Sequence, residues 1–273
     1  MLNQHPPNSI FARNTKRALA EFIIDWSSVD DIDQRYAYNL ALDTIRFYRG
    51  QGEQTSEFAR IEQRWYQSLD DGEPDYGIYD ERYLLSDIWS CWILFSRVFL
   101  KAIAHHRSAM RHSIVSDIGR VDRVYDLGCG FGYGSAALKE LFPNADVIGT
   151  NWEGGRQWRV ASIFAERYGF SMAPEVKHRA DLIFASEYFE HIERPVEHML
   201  HVLDICEPRA LVLANSFGTH SIGHFREHRH FDEIVDGKDV GKLFGSALRD
   251  RGYELVETRC WNNRPAYWKR IRE

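Results

Sequence analysis

The segment from Val124 to Gly134 constrains the fold of this 273-residue chain more than any other. Its sequence, VYDLGCGFGYG, describes a short apolar strand that runs into a turn with glycine at alternate positions. Glycine adopts backbone conformations that other residues avoid, and it allows the main chain to approach a ligand closely. A helix is predicted after the turn, and the first amides of such a helix can face the ligand. The segment therefore predicts an α/β fold with a nucleotide or nucleoside pocket at the turn.

Asp126 narrows the choice of ligand. This acid stands two residues before the first glycine of the turn, where it would repel a pyrophosphate but would suit an amino group. A P-loop also requires a Gly-Lys-Ser/Thr run, which the turn lacks. The dinucleotide fingerprint has two residues between its second and third glycines, whereas one residue separates Gly130 from Gly132. On these residues alone, a glycine-rich loop without any ligand is the alternative.

The run from Asp126 to Gly132 resembles motif I of the class I S-adenosylmethionine-dependent methyltransferases at every defining position. The resemblance extends over residues 115–273 and implies a Rossmann-like α/β fold with a seven-stranded sheet, whose last two strands are antiparallel. It also implies S-adenosyl-L-methionine as the cofactor. The cofactor-binding residues that it implies are Asp126, Gly128, Cys129, Gly130, Gly132, Asn151, Trp152 and Ser186.

Asn151 follows the second predicted strand, at the place where an acid usually binds the ribose hydroxyls. Its amide can also pair with a hydroxyl, and Glu153 is a second candidate for that role. Equally, Asn151 can simply begin the next turn. Further strands are expected at residues 181–186, 209–215, 253–257 and 266–269, whereas no strand can be assigned between Gly169 and Asp181.

Carboxylates and histidines after the fourth predicted strand carry the candidate chemistry. The run Glu187-Tyr188-Phe189-Glu190-His191 resembles one in ubiquinone-pathway O-methyltransferases and in small-RNA 2′-O-methyltransferases, and the latter bind a metal with it. Four histidines lie between residues 220 and 230, and a helix would place His220 with His224, and His224 with His228, on one face. The expected catalytic residues are Glu187, His191 and His224. The candidate ligands for a divalent metal are Glu187, Glu190, His191, His224 and His228. We favour the alternative in which this run shapes the cofactor pocket without a metal.

The first 112 residues differ in character from the rest. Helical apolar spacing predicts helices at 15–26, 32–48, 57–69 and 83–105, and the last of these carries a broad aromatic face. We expect a helical N-terminal region at 1–112, serving as a cap, a substrate lid or a dimer contact, and a methyltransferase domain at 113–273. Residues 1–10 are expected to form a flexible tail. Arg97 and Lys101 interrupt the most apolar stretch, which therefore predicts a buried helix and not a membrane span.

Charge and cysteine usage limit the partners. The formal charge of −6 disfavours nucleic acid, and we interpret one basic cluster as a solvated face of the C-terminal hairpin: Arg259, Arg264, Lys269, Arg270 and Arg272. The four cysteines have no paired spacing, which predicts reduced thiols in a cytoplasmic protein. A small-molecule O-methyltransferase is the first expectation. The alternatives are a metal-assisted RNA or nucleotide 2′-O-methyltransferase and a non-catalytic cofactor-binding or partner-binding protein with the same fold.

Overall fold

The computed structural model describes residues 9–11, 13–104, 113–257 and 265–271. The N-terminal part is helical, and three of its helices begin at residues whose side chains cap the first turn. Asn14, Asp33 and Thr55 each accept a hydrogen bond from the main-chain N–H three residues ahead, which satisfies an otherwise unpaired donor. The helices are α1 (Thr15–Asp30), α2 (Gln34–Tyr48), α3 (Ser56–Asp70), α4 (Arg82–Cys91) and α5 (Arg97–Ala104).

A π-helical turn, Trp92–Ser96, joins α4 to α5 in one continuous helical segment. By length and composition alone, this segment would suffice to cross a membrane. Most of its apolar part is buried within the protein, however, and Leu85, Trp89 and Leu100 expose no surface. The segment thus packs as a core helix, as its interrupted apolar sequence predicts.

The rest of the chain forms an α/β sheet with flanking helices. The helices are α6 (Ile114–Ile118), α7 (Tyr133–Leu141), α8 (Arg156–Tyr168), α9 (Pro195–Cys206) and α10 (Gly237–Asp250). The strands of the main sheet are β1 (Arg123–Leu127), β2 (Asp146–Thr150), β3 (Ser171–Ala173), β4 (Leu182–Ser186), β5 (Ala210–Ala214), β8 (Tyr253–Val256) and β9 (Ala266–Arg270). A separate hairpin consists of β6 (Glu227–His230) and β7 (Glu233–Asp236).

The main sheet has seven strands in the order β3-β2-β1-β4-β5-β9-β8. The first five strands of this order are parallel, whereas β9 runs antiparallel to both β5 and β8. The predicted sheet with an antiparallel last pair is therefore confirmed. The chain enters the sheet at β1 and winds first to one side and then to the other. In sheets of this kind, ligands bind at the carboxyl ends of the strands that flank the reversal, here β1 and β4.

Two hydrophobic layers cover the sheet. On one face, the N-terminal helices share a core with α7 and α8: Phe22 stacks on Trp89, with ring centroids 4.9 Å apart, and meets the Phe131 ring of the glycine turn at 5.3 Å. On the other face, α9 and α10 pack through Met199 and Phe244. Strands β4 and β5 are covered on both sides, which explains their unbroken apolar sequences.

Some sequence-based expectations concern residues outside the described ranges. These are residues 1–8 of the predicted tail, the end of the fourth predicted helix at His105, and Cys260, Arg259, Arg264 and Arg272. The predicted boundary between residues 112 and 113 adjoins one of these ranges and stays a prediction.

Candidate functional site

A cavity of about 1160 Å³ lies at the carboxyl ends of the central strands, between the sheet and the N-terminal helices. Pockets for one drug-sized ligand hold roughly 300–1,000 Å³, so this cavity has room for two small molecules. The glycine turn after β1 bounds one half of it. Aromatic side chains of α2, α3 and the π-helical turn bound the other half.

The glycine turn requires glycine for two separate reasons. Gly128, Gly130 and Gly132 have φ angles of 61°, 56° and 82°, in the left-handed region that other residues avoid. Space is also limited, because a β-carbon on Gly128 would lie 2.2 Å from Cδ2 of Tyr188, and one on Gly132 would lie 2.5 Å from Cζ of Phe170. The main chain thus approaches its neighbours as closely as glycine allows, and α7 begins at the next residue.

Asp126 lies at the end of β1 with 3% of its surface exposed. Its Oδ2 accepts a hydrogen bond from the Ser135 hydroxyl at 2.7 Å, and the Ser135 main chain donates as well. Burial raises the pKa of Asp126 to about 7, although the hydrogen bonds from Ser135 lower it. A buried carboxylate is costly unless a cation compensates it. No lysine or arginine is found among the described residues that line the cavity, so a cationic group of a ligand would satisfy Asp126.

Asn151 lies on the cavity wall just after β2, and its side chain is engaged by the protein. Its Nδ2 donates to the Gly130 carbonyl at 2.9 Å and to Oε1 of Gln157 at 3.3 Å, while its Oδ1 accepts from the main-chain N–H of Trp152 at 2.8 Å. Asn151 therefore fastens the glycine turn to the end of β2. The Trp152 side chain is 61% exposed at the rim of the cavity. Ribose binding by Asn151 stays a prediction.

Glu187 and Glu190 follow β4 and converge on one point. Glu187 has a φ of 52°, which is uncommon outside glycine, and its Oε1 accepts from the Ser216 hydroxyl at 3.3 Å. The Ser216 main-chain N–H donates to Oε1 of Glu190 at 2.7 Å. Glu190 is 1% exposed, and its Oε2 has no hydrogen-bond partner among the described residues. Burial and the nearby Glu187 raise the pKa of Glu190 well above its usual value.

His224 completes this cluster. Glu187, Glu190 and His224 each offer a ligand atom, and these atoms lie within 4.8 Å of one another. Nδ1 of His224 lies 2.8 Å from the Thr219 carbonyl, which only accepts, so Nδ1 holds the proton and Nε2 has a lone pair. The Trp65 indole donates to the His224 carbonyl at 2.7 Å and thereby links α3 to this segment.

His191 lies beside this cluster but is not one of the three converging residues. Its Nδ1 lies 2.9 Å from the Tyr79 hydroxyl, and its ring meets that of His224 edge to face at 4.6 Å. Burial, together with the neighbouring His224, lowers the pKa of His191 well below its usual value. The ring is therefore neutral near pH 7.

The expectation that a helix aligns His220, His224 and His228 is wrong. Residues 218–226 form turns, and Gly218 and Gly223 adopt positive φ values of 75° and 80° within them. His228 lies on β6, 1% exposed, with its Nδ1 3.1 Å from the Ile192 carbonyl. Its ring packs against Phe217 and Phe225 and does not line the cavity.

Of the other implied cofactor-binding residues, Cys129 and Ser186 line the cavity. Ser186 lies at the end of β4, and its hydroxyl is 2.9 Å from that of Ser96 in the π-helical turn. Sequence reasoning missed Asp87, a buried acid of α4 that faces the same cavity. An acid within the most apolar helical stretch of the chain is the signal that points to it, because carboxylates are rarely buried without a reason.

Comparison with known proteins supports the fold. No protein-family model matches the sequence, and no curated relative matches it. A putative O-methyltransferase from Nostoc punctiforme PCC 73102 superimposes with a TM-score of 0.50 over 83% of this chain and 71% of its own, at 12% identity. The S-adenosylmethionine-dependent methyltransferase SibL is also similar, with a TM-score of 0.46 over 94% of this chain and 76% of its own, at 16% identity. Human N-acetylserotonin methyltransferase, in complex with SAM, has a TM-score of 0.49 over 77% of this chain and 66% of its own, at 13% identity. The chain thus has the S-adenosylmethionine-dependent methyltransferase fold that the sequence predicts.

Proposed function

We propose that this protein is an S-adenosylmethionine-dependent methyltransferase that methylates an oxygen of a small-molecule acceptor. The observation that carries the proposal is Asp126, a buried carboxylate with no cationic partner among the described residues, placed beside a glycine turn in a methyltransferase fold. The ammonium group of the cofactor's methionine part would be a suitable cation for this carboxylate. The glycine turn that follows Asp126 lines the same cavity. When bound, the cofactor supplies an electrophilic methyl group on a sulfonium.

The residues of the acceptor half supply what transfer to a hydroxyl requires. The acceptor must be aligned with the methyl group, water must be excluded, and a base must take the hydroxyl proton. The N-terminal helices form part of the cavity wall and cover the carboxyl ends of the strands. We assign the base to His224, because the Thr219 carbonyl places a proton on its Nδ1 and its ring lines the cavity. Glu187 lines the same cavity and would stabilise the positive charge that develops on the imidazole.

A small molecule fits the cavity better than RNA does. Binding of nucleic acid depends on lysine and arginine contacts to phosphates. The described residues that line the cavity include neither residue type. We therefore place the RNA or nucleotide alternative behind the small-molecule one.

The proposal predicts that the purified protein binds S-adenosylhomocysteine, the product form of the cofactor, with one site per chain. The expected dissociation constant lies in the micromolar range, about 1–100 μM, as for many enzyme ligands. Isothermal titration calorimetry at pH 8 measures it directly. A protein that binds neither S-adenosylmethionine nor S-adenosylhomocysteine in that experiment would contradict the proposal and favour the non-catalytic alternative.

Metal-assisted transfer is a second candidate, and the converging cluster favours it. Two carboxylates and one imidazole suit Mg²⁺, Mn²⁺ or Zn²⁺, and the ligand atoms of Glu187, Glu190 and His224 lie within 4.8 Å of one another. Glu187, Glu190 and His224 would hold the ion. When bound, a metal lowers the pKa of a coordinated hydroxyl.

This candidate predicts that Mn²⁺ binds the wild-type protein and that Glu190→Gln weakens the binding by about tenfold or more. Calorimetric titration of Mn²⁺ at pH 7.5 is the measurement, with Glu193→Gln as a control, because Glu193 forms a surface ion pair with Arg229. Equal Mn²⁺ affinity of Glu190→Gln and wild type, or no binding by either, would exclude the cluster as a metal site.

A further inference from the structure

We propose that the methyl acceptor is an aromatic molecule carrying a protonated amine, and that Asp87 binds this amine. The inference rests on the proposed function, since it concerns the acceptor half of the same cavity. It is carried by four features: an aromatic sub-pocket, a buried carboxylate within it, the charge of the cavity wall, and the short path to the glycine turn.

The sub-pocket is built from the N-terminal helices. Its aromatic side chains are Phe47 and Tyr48 at the end of α2, Phe58 of α3, and Phe95 of the π-helical turn. Phe47 and Phe58 have ring centroids 5.4 Å apart, and Tyr48 meets Phe95 edge to face at 6.1 Å. Rings in such arrangements accommodate a further aromatic ring, and their faces attract a cation.

Asp87 places a negative charge in this apolar surrounding. The residue is 6% exposed, and its Oδ1 accepts a hydrogen bond from the Tyr48 hydroxyl at 2.6 Å. Within the described residues, this is the one hydrogen bond that its side chain makes. A carboxylate has two oxygens and room for about four such bonds. Asp87 therefore retains the capacity to accept bonds from an ammonium group.

The charges on the cavity wall also favour a cationic acceptor. The described acidic residues that line it are Glu62, Asp80, Asp87, Asp126 and Glu187, and no described lining residue is a lysine or arginine. Asp80 already accepts from the main-chain N–H of Arg156. A phosphate or carboxylate on the acceptor would meet no lysine or arginine among the described lining residues, whereas an ammonium group would meet Asp87.

The path from Asp87 to the donor half is short. Ile88, the next residue, packs on the glycine turn so closely that a β-carbon on Gly130 would lie 3.0 Å from its Cγ2. At the far side of the sub-pocket, the Ser96 hydroxyl lies against that of Ser186 at the end of β4. A molecule whose amine binds Asp87 would therefore reach the methyl group of the cofactor with its other end.

Three ligands with one ring system test the inference. The protein is saturated with S-adenosylhomocysteine at pH 8 and titrated with 2-(1-naphthyl)ethylamine, 2-(1-naphthyl)ethanol and 1-naphthylacetate. We expect the amine to bind about tenfold or more tightly than the anion. Asp87→Asn keeps an oxygen for the Tyr48 hydroxyl but removes the charge, so it should lower the affinity for the amine about tenfold and leave that for the alcohol unchanged. Asp43→Asn, on the exposed face of α2, serves as the control.

The outcomes separate this inference from the proposed function. If the wild-type protein binds S-adenosylhomocysteine but binds the anion with the same affinity as the amine, the proposed acceptor class is wrong and the proposed function stands. The same holds if Asp87→Asn retains the full affinity for the amine, or if the amine does not bind. Failure of S-adenosylhomocysteine itself to bind contradicts the proposed function. Unchanged S-adenosylhomocysteine affinity of Asp87→Asn shows that the variant is folded.

Discussion

Asp126→Ala is expected to lower the affinity for S-adenosylmethionine and S-adenosylhomocysteine by about 100-fold or more. Truncating one member of a buried charge pair commonly costs about 2–5 kcal/mol, and Asp126 is 3% exposed at the end of β1. Calorimetric titration of both ligands measures the loss. Asp122→Ala is the matched control, because Asp122 is an exposed acid just before the same strand. Equal affinities of Asp126→Ala and Asp122→Ala would remove Asp126 from the cofactor site.

The pH dependence of binding gives a sharper test of the same residue. Because burial raises the pKa of Asp126 to about 7, the carboxyl carries a proton at pH 6 that must leave before an ammonium group can bind. Affinity should therefore fall as the pH drops below 7, approaching about tenfold per pH unit. Asp126→Asn has no such proton, so its weaker binding should be independent of pH between 5.5 and 8. A wild-type slope that persists in Asp126→Asn would show that another group titrates.

The raised pKa also has a consequence for the ligand-free protein. The folded-state pKa of Asp126 lies above the ordinary value of 3.8, so its contribution to stability is fully present below pH 3.8 and is lost as the pH rises through about 7. At pH 8 the ionised carboxylate opposes folding. Asp126→Asn should then raise the free energy of unfolding at pH 8 by on the order of 2–4 kcal/mol. Urea denaturation at pH 8 and pH 4 measures this difference, which should nearly vanish at pH 4.

Gly128→Ala is the second substitution with a large expected effect. It combines a positive φ with a collision, since the new β-carbon would lie 2.2 Å from the ring of Tyr188. That ring cannot move freely, because its hydroxyl is 2.9 Å from Nε2 of His198 and its edge packs against Phe189. We expect S-adenosylhomocysteine affinity to fall by about 100-fold or more and the free energy of unfolding by about 2–4 kcal/mol.

Gly169→Ala separates the cost of the positive φ from the cost of the collision with Tyr188. Gly169 has a φ of 74° but open space around its α-carbon, so alanine there should cost only the conformational penalty of about 1–2 kcal/mol. A second comparison uses Gly128→Ala combined with Tyr188→Ala, which removes the colliding ring. Partial recovery of stability in the double variant would identify the collision, whereas additive losses would contradict it.

The sequence predicts those parts of the site that depend on local pattern. The glycine turn and Asp126 are adjacent in the chain, so their spacing predicts their geometry. The sequence does not predict β3, because this strand has three residues and, among the described strands, pairs with β2 alone. The four-residue spacing of the histidines predicts a shared helical face, but Gly218 and Gly223 turn the backbone away from a helix. Strand alternation on β6 then places His228 inside and Arg229 outside.

Asp87 illustrates the limit of such reasoning. Its position facing the cavity depends on how α4 lies across the sheet, and that placement follows from long-range contacts such as that of Trp89 with Phe22. Helical periodicity predicts which residues of α4 share a face. It does not predict what that face covers. The half of the cavity proposed for the acceptor consists mostly of residues of this kind, whereas the half proposed for the donor is encoded over a few adjacent residues.

The shared core of the helices and the sheet has a consequence for how such a protein can change. The rings of Phe22 and Trp89 belong to the same packed cluster as Phe131 of the glycine turn. The helical cover is therefore not an exchangeable module, and grafting it from another protein of this fold would uncover the apolar side of the glycine turn. Under the proposed function, new acceptor specificity would have to arise by point substitutions in the lining, at positions such as Phe47 and Phe95, while the packed side of the helices stays constant.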